Sequence, residues 1–179
     1  MQTIPASIPY LFSSPRKLDD WQTKLGKKNK PRVGLAWSGN PRNEDTRRNI
    51  PLELLRPMMI AGIEWHSLQK DVLERDRVSL KANSAVVDFT ASLNDFSDTA
   101  ALITELDLVI SVDTVAAHLA GALGKPVWIL LPFHPEFRWL RGRADSPWYP
   151  TARLFRQAHN GDWGGVIGQV SRELEGLFS

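Results

Sequence analysis

The sequence has no cysteine, no long apolar run and almost no excess of either charge. Without cysteine there is no disulfide framework and no thiolate chemistry, which is compatible with the cytoplasm, the location that we expect. No apolar run approaches the length of a membrane-spanning helix, and the first residues lack the charged and apolar regions of a signal peptide. The net charge of +2 is too small to indicate a nucleic-acid partner. Together with 42% hydrophobic and 23% charged residues, these absences are typical of a soluble globular domain.

The clearest local pattern is DLVISVDTVAAHLAGALGKPVWILLP at residues 107–132. The β-branched, apolar run at 108–112 predicts a buried strand, and a second buried strand is predicted at 127–131. Small apolar helix formers lie between them, preceded by Asp113 and Thr114, which are both favourable helix N-caps. Strand, helix and strand in so few residues predict a βαβ unit with parallel strands and a right-handed crossover.

Similar patterns occur on both sides of this unit. Apolar segments predict further strands at residues 32–37, 63–68, 85–89 and 152–155. Helical spacing predicts helices at residues 18–25, 51–61, 95–106 and 163–178, whereas the charged segment 71–82 gives no strong signal. The alternation predicts an α/β fold with a Rossmann-like doubly wound parallel sheet. We expect residues 1–30 to form an extended segment and a short helix, followed by the Rossmann-like domain at 31–179.

Two familiar nucleotide-binding motifs are absent. The segment GLAWSGNP at residues 34–41 has the glycine spacing of a phosphate loop, but Asn40 and Pro41 stand where that motif needs Lys and Ser or Thr. No GxGxxG follows any predicted strand, so a tightly held NAD or FAD is not expected. Carboxylates and histidines do not cluster as a divalent metal requires, so we expect neither a metal nor a cofactor.

Polar residues follow the predicted strands at the sheet edge where open α/β folds bind ligands. The candidates at this edge are Ser38, Gly39, Asn40, Ser67, Gln69, Lys70, Thr90, Asp113, Thr114 and His134. They are mostly neutral donors, which suit a ligand with phosphates and hydroxyls. A helix starting at this edge would add free N–H groups for an anion.

Several of these residues have two interpretations. Gly39 either lets the backbone approach a phosphate or only makes a turn, and His118, one helical turn after Thr114, either contacts a ligand or packs. For Asp113 an N-cap is favoured over a catalytic base, so no catalytic residue is assigned. Arg47 and Arg48 could bind a pyrophosphate or simply be solvated.

The loop FRWLRGRADSPWYP at residues 137–150 combines tryptophan with arginine. Such a composition suits a recognition surface, whereas the alternative is that the tryptophans pack over the end of the sheet as a lid. The residues that we assign to this lid or interface are Arg138, Trp139, Arg141 and Trp148.

The run DLVISVDTVAAHLAGALGKPVW resembles the donor-site segment of family 9 glycosyltransferases, the ADP-heptose heptosyltransferases of lipopolysaccharide synthesis. Three further stretches are similar to the glycosyltransferase domain of bacterial tetratricopeptide-repeat (TPR) proteins described as O-GlcNAc-transferase-like. They are GLAWSGNP, IPLELLRP with WHSLQK, and SPWYPTARLFRQ with GDW. The resemblance covers nearly the whole chain from Ile8.

The resemblance implies one half of a GT-B fold, namely the C-terminal, donor-binding half of two facing Rossmann-like domains. It places Asp113, Thr114 and His118 near the donor diphosphate and sugar. It also places Ser38 and Gly39 near the phosphates, with Asn40 in the same loop, Arg48 as a basic phosphate contact and Gln69 near the nucleoside. The substrate implied is a nucleotide-diphosphate sugar, used without a metal.

By the same resemblance, the general base that activates the acceptor comes from an N-terminal domain, which a chain of this length does not accommodate. The chain would then bind a donor but would need a partner for transfer, so its status as an enzyme is open. One alternative is a non-catalytic interaction module that contacts a TPR domain or a second copy through the 137–150 loop. A weaker one is a fragment of a nucleotide-sugar epimerase.

Overall fold

The computed structural model describes residues 7–40, 46–82 and 85–178. The strands are β1 (Arg32–Ala36), β2 (Glu64–Ser67), β3 (Val86–Val87), β4 (Leu108–Val112), β5 (Val127–Leu131) and β6 (Ala152–Arg156). The helices are α1 (Pro15–Leu25), α2 (Leu52–Leu55), α3 (Glu74–Ala82), α4 (Phe96–Thr104), α5 (Val115–Ala122) and α6 (Trp163–Phe178). Pro41, which distinguishes the segment at 34–41 from a phosphate loop, lies outside the described residues.

In the described ranges the strands form one parallel sheet in the order β3-β2-β1-β4-β5-β6. The register pairs Leu35 of β1 with Ser67 of β2 on one side and with Ile110 of β4 on the other. This is the strand order of a doubly wound Rossmann-like sheet, which confirms the predicted fold class. The order reverses between β1 and β4, so the ligand crevice of such a fold lies at the carboxyl ends of these two strands.

Helices cover both faces of the sheet, as strands that are apolar on both sides require. On one face, α2, α3 and α6 pack over side chains such as Leu35 and Ile110. On the other face, α1, α4 and α5 pack over side chains such as Val109 and Ile129. Burying each of these side chains contributes roughly 1.5–3 kcal/mol. The two layers therefore hold the edges of the crevice on a rigid support.

Proline shortens the helix that the sequence predicts at residues 51–61. The helix α2 ends at Leu55 and continues as one 3₁₀ turn at Arg56–Met58. Pro57 lacks an N–H group and its ring clashes with the preceding turn, so a regular helix cannot pass through it.

The helix α3 was not predicted because its inward side is held by a carboxylate instead of an apolar stripe. Asp76 is buried, and its carboxylate accepts hydrogen bonds from the backbone N–H of Leu52 and the indole Nε1–H of Trp37, both at 3.1 Å. Asp76 therefore links α3 to the start of α2 and to Trp37 at the end of β1, although the sequence of α3 is largely charged. The strand β3 is also shorter than the predicted 85–89.

The N-terminal segment packs against the sheet domain. Trp21 of α1 is fully buried in the layer that contains α4 and α5. The backbone N–H groups of Tyr10 and Leu11 both donate to the carbonyl of Ala122, at 3.0 and 3.2 Å. The division at residue 30 stays a prediction. No helix among the described residues is long and apolar enough to cross a membrane.

Candidate functional site

A cleft of about 550 Å³ opens at the carboxyl ends of β1 and β4. Its walls include every residue predicted for the donor site, namely Ser38, Gly39, Asn40, Arg48, Gln69, Asp113, Thr114 and His118. The parallel sheet brings them together because β1, β2 and β4 all end at this edge. Their contact with a ligand stays a prediction.

Gln69 holds the loop after β1 in place. Its Oε1 accepts hydrogen bonds from the backbone N–H groups of Trp37 and Ser38, both at 3.2 Å. Its Nε2 donates to the carbonyls of Ser38 and Asp71, both at 3.0 Å. The amide group therefore has its full complement of four hydrogen bonds within the protein. In this conformation Gln69 fixes the wall of the cleft, and the predicted contact with a nucleoside would need some of these bonds to exchange.

The turn at Gly39 presents an arginine to the cleft. The N–H of Gly39 is already used, since it donates to Oδ1 of Asn49 at 2.8 Å. A Cβ on Gly39 would lie 2.9 Å from Nε of Arg48, so glycine is what allows the guanidinium to lie against the turn. Arg48 Nη1 also donates to the carbonyl of Asp113 at 2.9 Å. The side chain thus joins the ends of β1 and β4, whereas the N–H of Gly39 is not available to a phosphate.

The start of α5 has no capping side chain among the described residues. Thr114 occupies the N-cap position, with the extended φ and ψ of −139° and 175°, but makes no capping hydrogen bond. Its hydroxyl lies instead 3.0 Å from the hydroxyl of Ser111. Thr114 is therefore the N-cap by position, as expected, but its side chain does not cap the helix. The N-cap role favoured for Asp113 is wrong, because Asp113 lies one residue before that position. Neither hydroxyl covers the first turn of α5, whose residues Val115 and Ala116 line the cleft.

Two large apolar residues lie at the cleft and not in the core. Phe96 is 67% exposed and Val115 is 48% exposed, and both line the cavity. Each is the first residue of a helix that starts at the carboxyl edge of the sheet. Side chains of a first turn at this edge project toward the crevice, so these two add apolar surface to its wall.

His118 has a partner at each ring nitrogen. Nδ1 lies 3.0 Å from the hydroxyl of Tyr149, and Nε2 lies 3.2 Å from Nη1 of Arg138 and 3.5 Å from Oδ1 of Asp113. The ring stacks on Trp139, with centroids 5.4 Å apart and planes at 20°. His118 therefore both packs and lines the cleft, which combines the two interpretations that the sequence left open.

Two acid–base groups at this end of the cleft have shifted pKa values. Burial alone would raise the pKa of Asp113, but the neighbouring His118 and the positive charge of Arg138 outweigh it and lower the pKa below the usual value. Asp113 is therefore a stable carboxylate. Burial raises the pKa of Tyr149, so its hydroxyl stays protonated.

The four residues assigned to a lid or interface separate into three positions. Arg138 lines the cleft, whereas Trp139 is fully buried under His118 and has no surface to offer a partner. Arg141 and Trp148 are exposed, and Nε1 of Trp148 donates to the carbonyl of Arg138 at 2.9 Å. Burial of Trp139 fits the packing alternative for that residue and not the interface alternative.

Sequence reasoning missed Asn49 and Tyr149, which hold Gly39 and His118 respectively. Neither has a signal of its own, because each acts through a contact that only the fold creates, with a partner 10 residues away for Asn49 and 31 residues away for Tyr149. Glu136 also lines the cleft without having been singled out. No three or more His, Cys, Asp or Glu residues within 7–40, 46–82 and 85–178 are grouped as ligands for a metal ion.

Two solved structures share the fold. One is the E. coli ADP-heptose lps heptosyltransferase II, with a TM-score of 0.65 and 17% identity, covering 99% of this chain and 56% of that chain. The other is the family 9 glycosyl transferase of Veillonella parvula DSM 2008, with a TM-score of 0.68 and 14% identity, covering 94% of this chain and 53% of that chain. At these identities the likeness shows the fold alone.

Sequence comparison gives the family. The chain is 29% identical over 184 residues to Protein FlbA of Caulobacter vibrioides, a match that covers 97% of this chain and 30% of FlbA. The chain thus spans less than a third of the length of that curated relative. The sequence pattern of glycosyltransferase family 9 (heptosyltransferase) matches residues 65–158, which run from β2 to just beyond β6. Because this match covers more than half of the chain, the chain belongs to glycosyltransferase family 9.

Proposed function

We propose that the cleft binds a nucleotide-diphosphate sugar and that the chain is the donor-binding domain of a glycosyltransferase. The observation that carries this proposal is the convergence of Arg48, Arg138 and the start of α5 on one cleft at the switch point of the sheet. Guanidinium groups and helix N-terminal amides both favour the negative charge of a pyrophosphate. A volume of about 550 Å³ lies within the range of roughly 300–1,000 Å³ that is usual for small-molecule sites.

The two arginines would bind the diphosphate in different ways. Arg48 is held in place by Gly39 and the carbonyl of Asp113, and its Nε has no partner among the described residues. Arg138 contacts Nε2 of His118 at 3.2 Å and Glu136 at 3.9 Å, so it can exchange these contacts for a phosphate oxygen. We therefore assign Arg48 to a preformed phosphate contact and Arg138 to a contact that forms on binding.

The remaining candidates would surround the sugar and the nucleoside. Asp113 and His118 would face the sugar and diphosphate, with Thr114 at the helix start. Ser38 and Asn40 would lie on the β1 side, and Gln69 would fix the wall nearest the nucleoside. The name of the E. coli structure suggests ADP-heptose as the first donor to test, with other nucleotide-diphosphate hexoses next.

During transfer, negative charge develops on the departing nucleoside diphosphate. Arginines and helix N-terminal amides that are already in place stabilise this charge without reorganisation. We propose that the chain is the C-terminal half of a GT-B arrangement, and that an N-terminal domain supplies the acceptor site and the general base. A TPR domain, as in the O-GlcNAc-transferase-like proteins, is a further candidate partner.

The test is a calorimetric titration of ADP-, GDP- and UDP-sugars into the chain. We expect at least one donor to bind with a Kd of about 1 mM or tighter. Arg48→Ala should weaken that binding roughly 10- to 100-fold, because it removes hydrogen bonds to a charged group. Arg48→Lys should have an intermediate effect, because it keeps the charge and loses the planar donors.

Arg56→Ala is the matched control, since Arg56 is an exposed arginine paired with Glu53 outside the cleft. It should leave the affinity unchanged. The absence of any binding by the unmodified chain would contradict the proposal, and so would an equal loss in the Arg48→Ala and Arg56→Ala variants.

One observation favours a second function, that of an interaction module. Phe137 is 80% exposed and Trp148 is 42% exposed on the loop that follows β5. If this loop binds a TPR domain or a second copy, Phe137→Ser with Arg141→Ala should lower the association state measured by analytical ultracentrifugation. In that case the chain either binds no donor or binds it equally well with and without the two substitutions. The first function instead predicts donor binding and an unchanged association state.

A further inference from the structure

Tyr149 does not line the cleft but contacts His118, which does. It lies 31 residues further along the chain, in the loop before β6, and its hydroxyl is 3.0 Å from Nδ1 of His118. Gly121, in the next turn of α5, makes this contact possible. A Cβ built on Gly121 would overlap with Cγ and Cδ1 of the Tyr149 ring, so any other residue there would push the ring away.

The contacts of His118 determine which ring nitrogen carries the proton. Arginine can only donate hydrogen bonds, so the contact of Arg138 Nη1 with Nε2 at 3.2 Å requires a lone pair on Nε2. In the neutral imidazole the proton is then on Nδ1, which donates to the hydroxyl oxygen of Tyr149.

The opposite tautomer has a competing partner. Oδ1 of Asp113 lies 3.5 Å from Nε2 and would accept a proton from it. The two neighbours of Nε2 thus favour different tautomers, Arg138 the Nδ1–H form and Asp113 the Nε2–H form. The Nδ1–H form also needs an acceptor for its proton, and the hydroxyl oxygen of Tyr149 is in position to be that acceptor.

We propose that Tyr149 is a positioning residue that holds His118 in the Nδ1–H tautomer and keeps the Nε2 lone pair facing the cleft, with Gly121 providing the space for its ring. Tyr149 does not itself line the cleft, so it acts through His118. The consequence for donor affinity rests on the proposed function, whereas the tautomer can be measured without any ligand.

The first test is ¹⁵N NMR of the histidine rings in the ligand-free chain, with the His118 signals identified by their loss in His118→Gln. We expect Nδ1–H in the unmodified chain and a change to Nε2–H, paired with Asp113, in Tyr149→Phe. Ser146→Ala is the control, because it removes a hydroxyl group from the same loop, where Ser146 accepts a hydrogen bond from Trp148, and leaves the contact between His118 and Tyr149 in place. An unchanged tautomer in Tyr149→Phe, or an equal change in Ser146→Ala, would overturn the proposal.

The second test uses Gly121→Ala, which displaces the ring and keeps the hydroxyl group. Tyr149→Phe and Gly121→Ala should each weaken donor binding about fivefold, the effect of one hydrogen bond. The double variant should be no weaker than the weaker single variant, because both changes remove the same contact. A loss of donor affinity in the double variant equal to the product of the two single losses would contradict the proposal. If no donor binds at all, the proposed function fails while the NMR result still decides the role of Tyr149.

Discussion

His66 and His118 show how differently two regions of this fold treat the same side chain. His66 lies in β2 and stacks on Phe89, with centroids 5.7 Å apart, and Trp21 of α1 packs on the same phenylalanine. We call these three side chains the wedge. Neither ring nitrogen of His66 has a hydrogen bond within the described residues. Both nitrogens of His118, in contrast, have polar partners at the cleft. The wedge is therefore packing that tolerates a polar group, whereas the cleft is a connected polar network.

This comparison predicts opposite consequences for the two histidines. Burial lowers the pKa of His66 to about 4, with Glu64 partly opposing the shift and Arg32 adding to it. His66 is thus neutral in the folded protein at pH values where the unfolded chain binds a proton. Substitution of His118 should instead change ligand affinity, because Asp113 and Arg138 line the cleft and Tyr149 holds the His118 ring in place.

The largest expected effect is on stability at low pH. The unfolded chain takes up a proton on His66 below about pH 6.5, but the folded chain does so only near pH 4, so stability is complete above pH 6.5 and falls between 6.5 and 4. The loss over this window should be about 3 kcal/mol. His66→Leu should remove it. Denaturant titrations of both proteins from pH 7 to pH 4 measure the difference, and parallel stability curves would refute this account of the wedge.

A smaller effect is expected at the cleft. His118→Gln should weaken donor binding about tenfold, because the amide cannot satisfy Tyr149, Asp113 and a ligand at once. His66→Leu should leave donor affinity unchanged, because His66 does not line the cleft. The comparison fails if His66→Leu and His118→Gln lose donor affinity equally.

The smallest effect is expected from a single methyl group. Gly39→Ala would place a Cβ 2.9 Å from Nε of Arg48 and should shift the guanidinium, which weakens donor binding about fivefold. Gly176→Ala in α6 is the control, since a Cβ there meets nothing within 4 Å. Calorimetric titrations compare the two. Equal affinities would mean that the turn does not position Arg48 for the ligand.

The sequence predicted the sheet well because its strands and the βαβ unit depend on local apolar patterns. The position of the cleft could also be predicted from these patterns, because the carboxyl ends of parallel strands must meet at one edge. Prediction failed where a long-range contact decides the outcome. Asp76 anchors a charged helix through Trp37, and Thr114 turns its hydroxyl to Ser111 instead of capping α5. Tyr149 likewise gains its role only when the fold brings it to His118.

The central claim is that the crevice between β1 and β4 binds the donor, and its most direct test is NMR chemical-shift mapping with a nucleotide-diphosphate sugar. We predict saturable changes in the backbone amide signals of residues 38–40, 113–118 and 138, with none in the wedge around His66 and Phe89. The absence of saturable changes, or changes centred on the wedge, would contradict the claim.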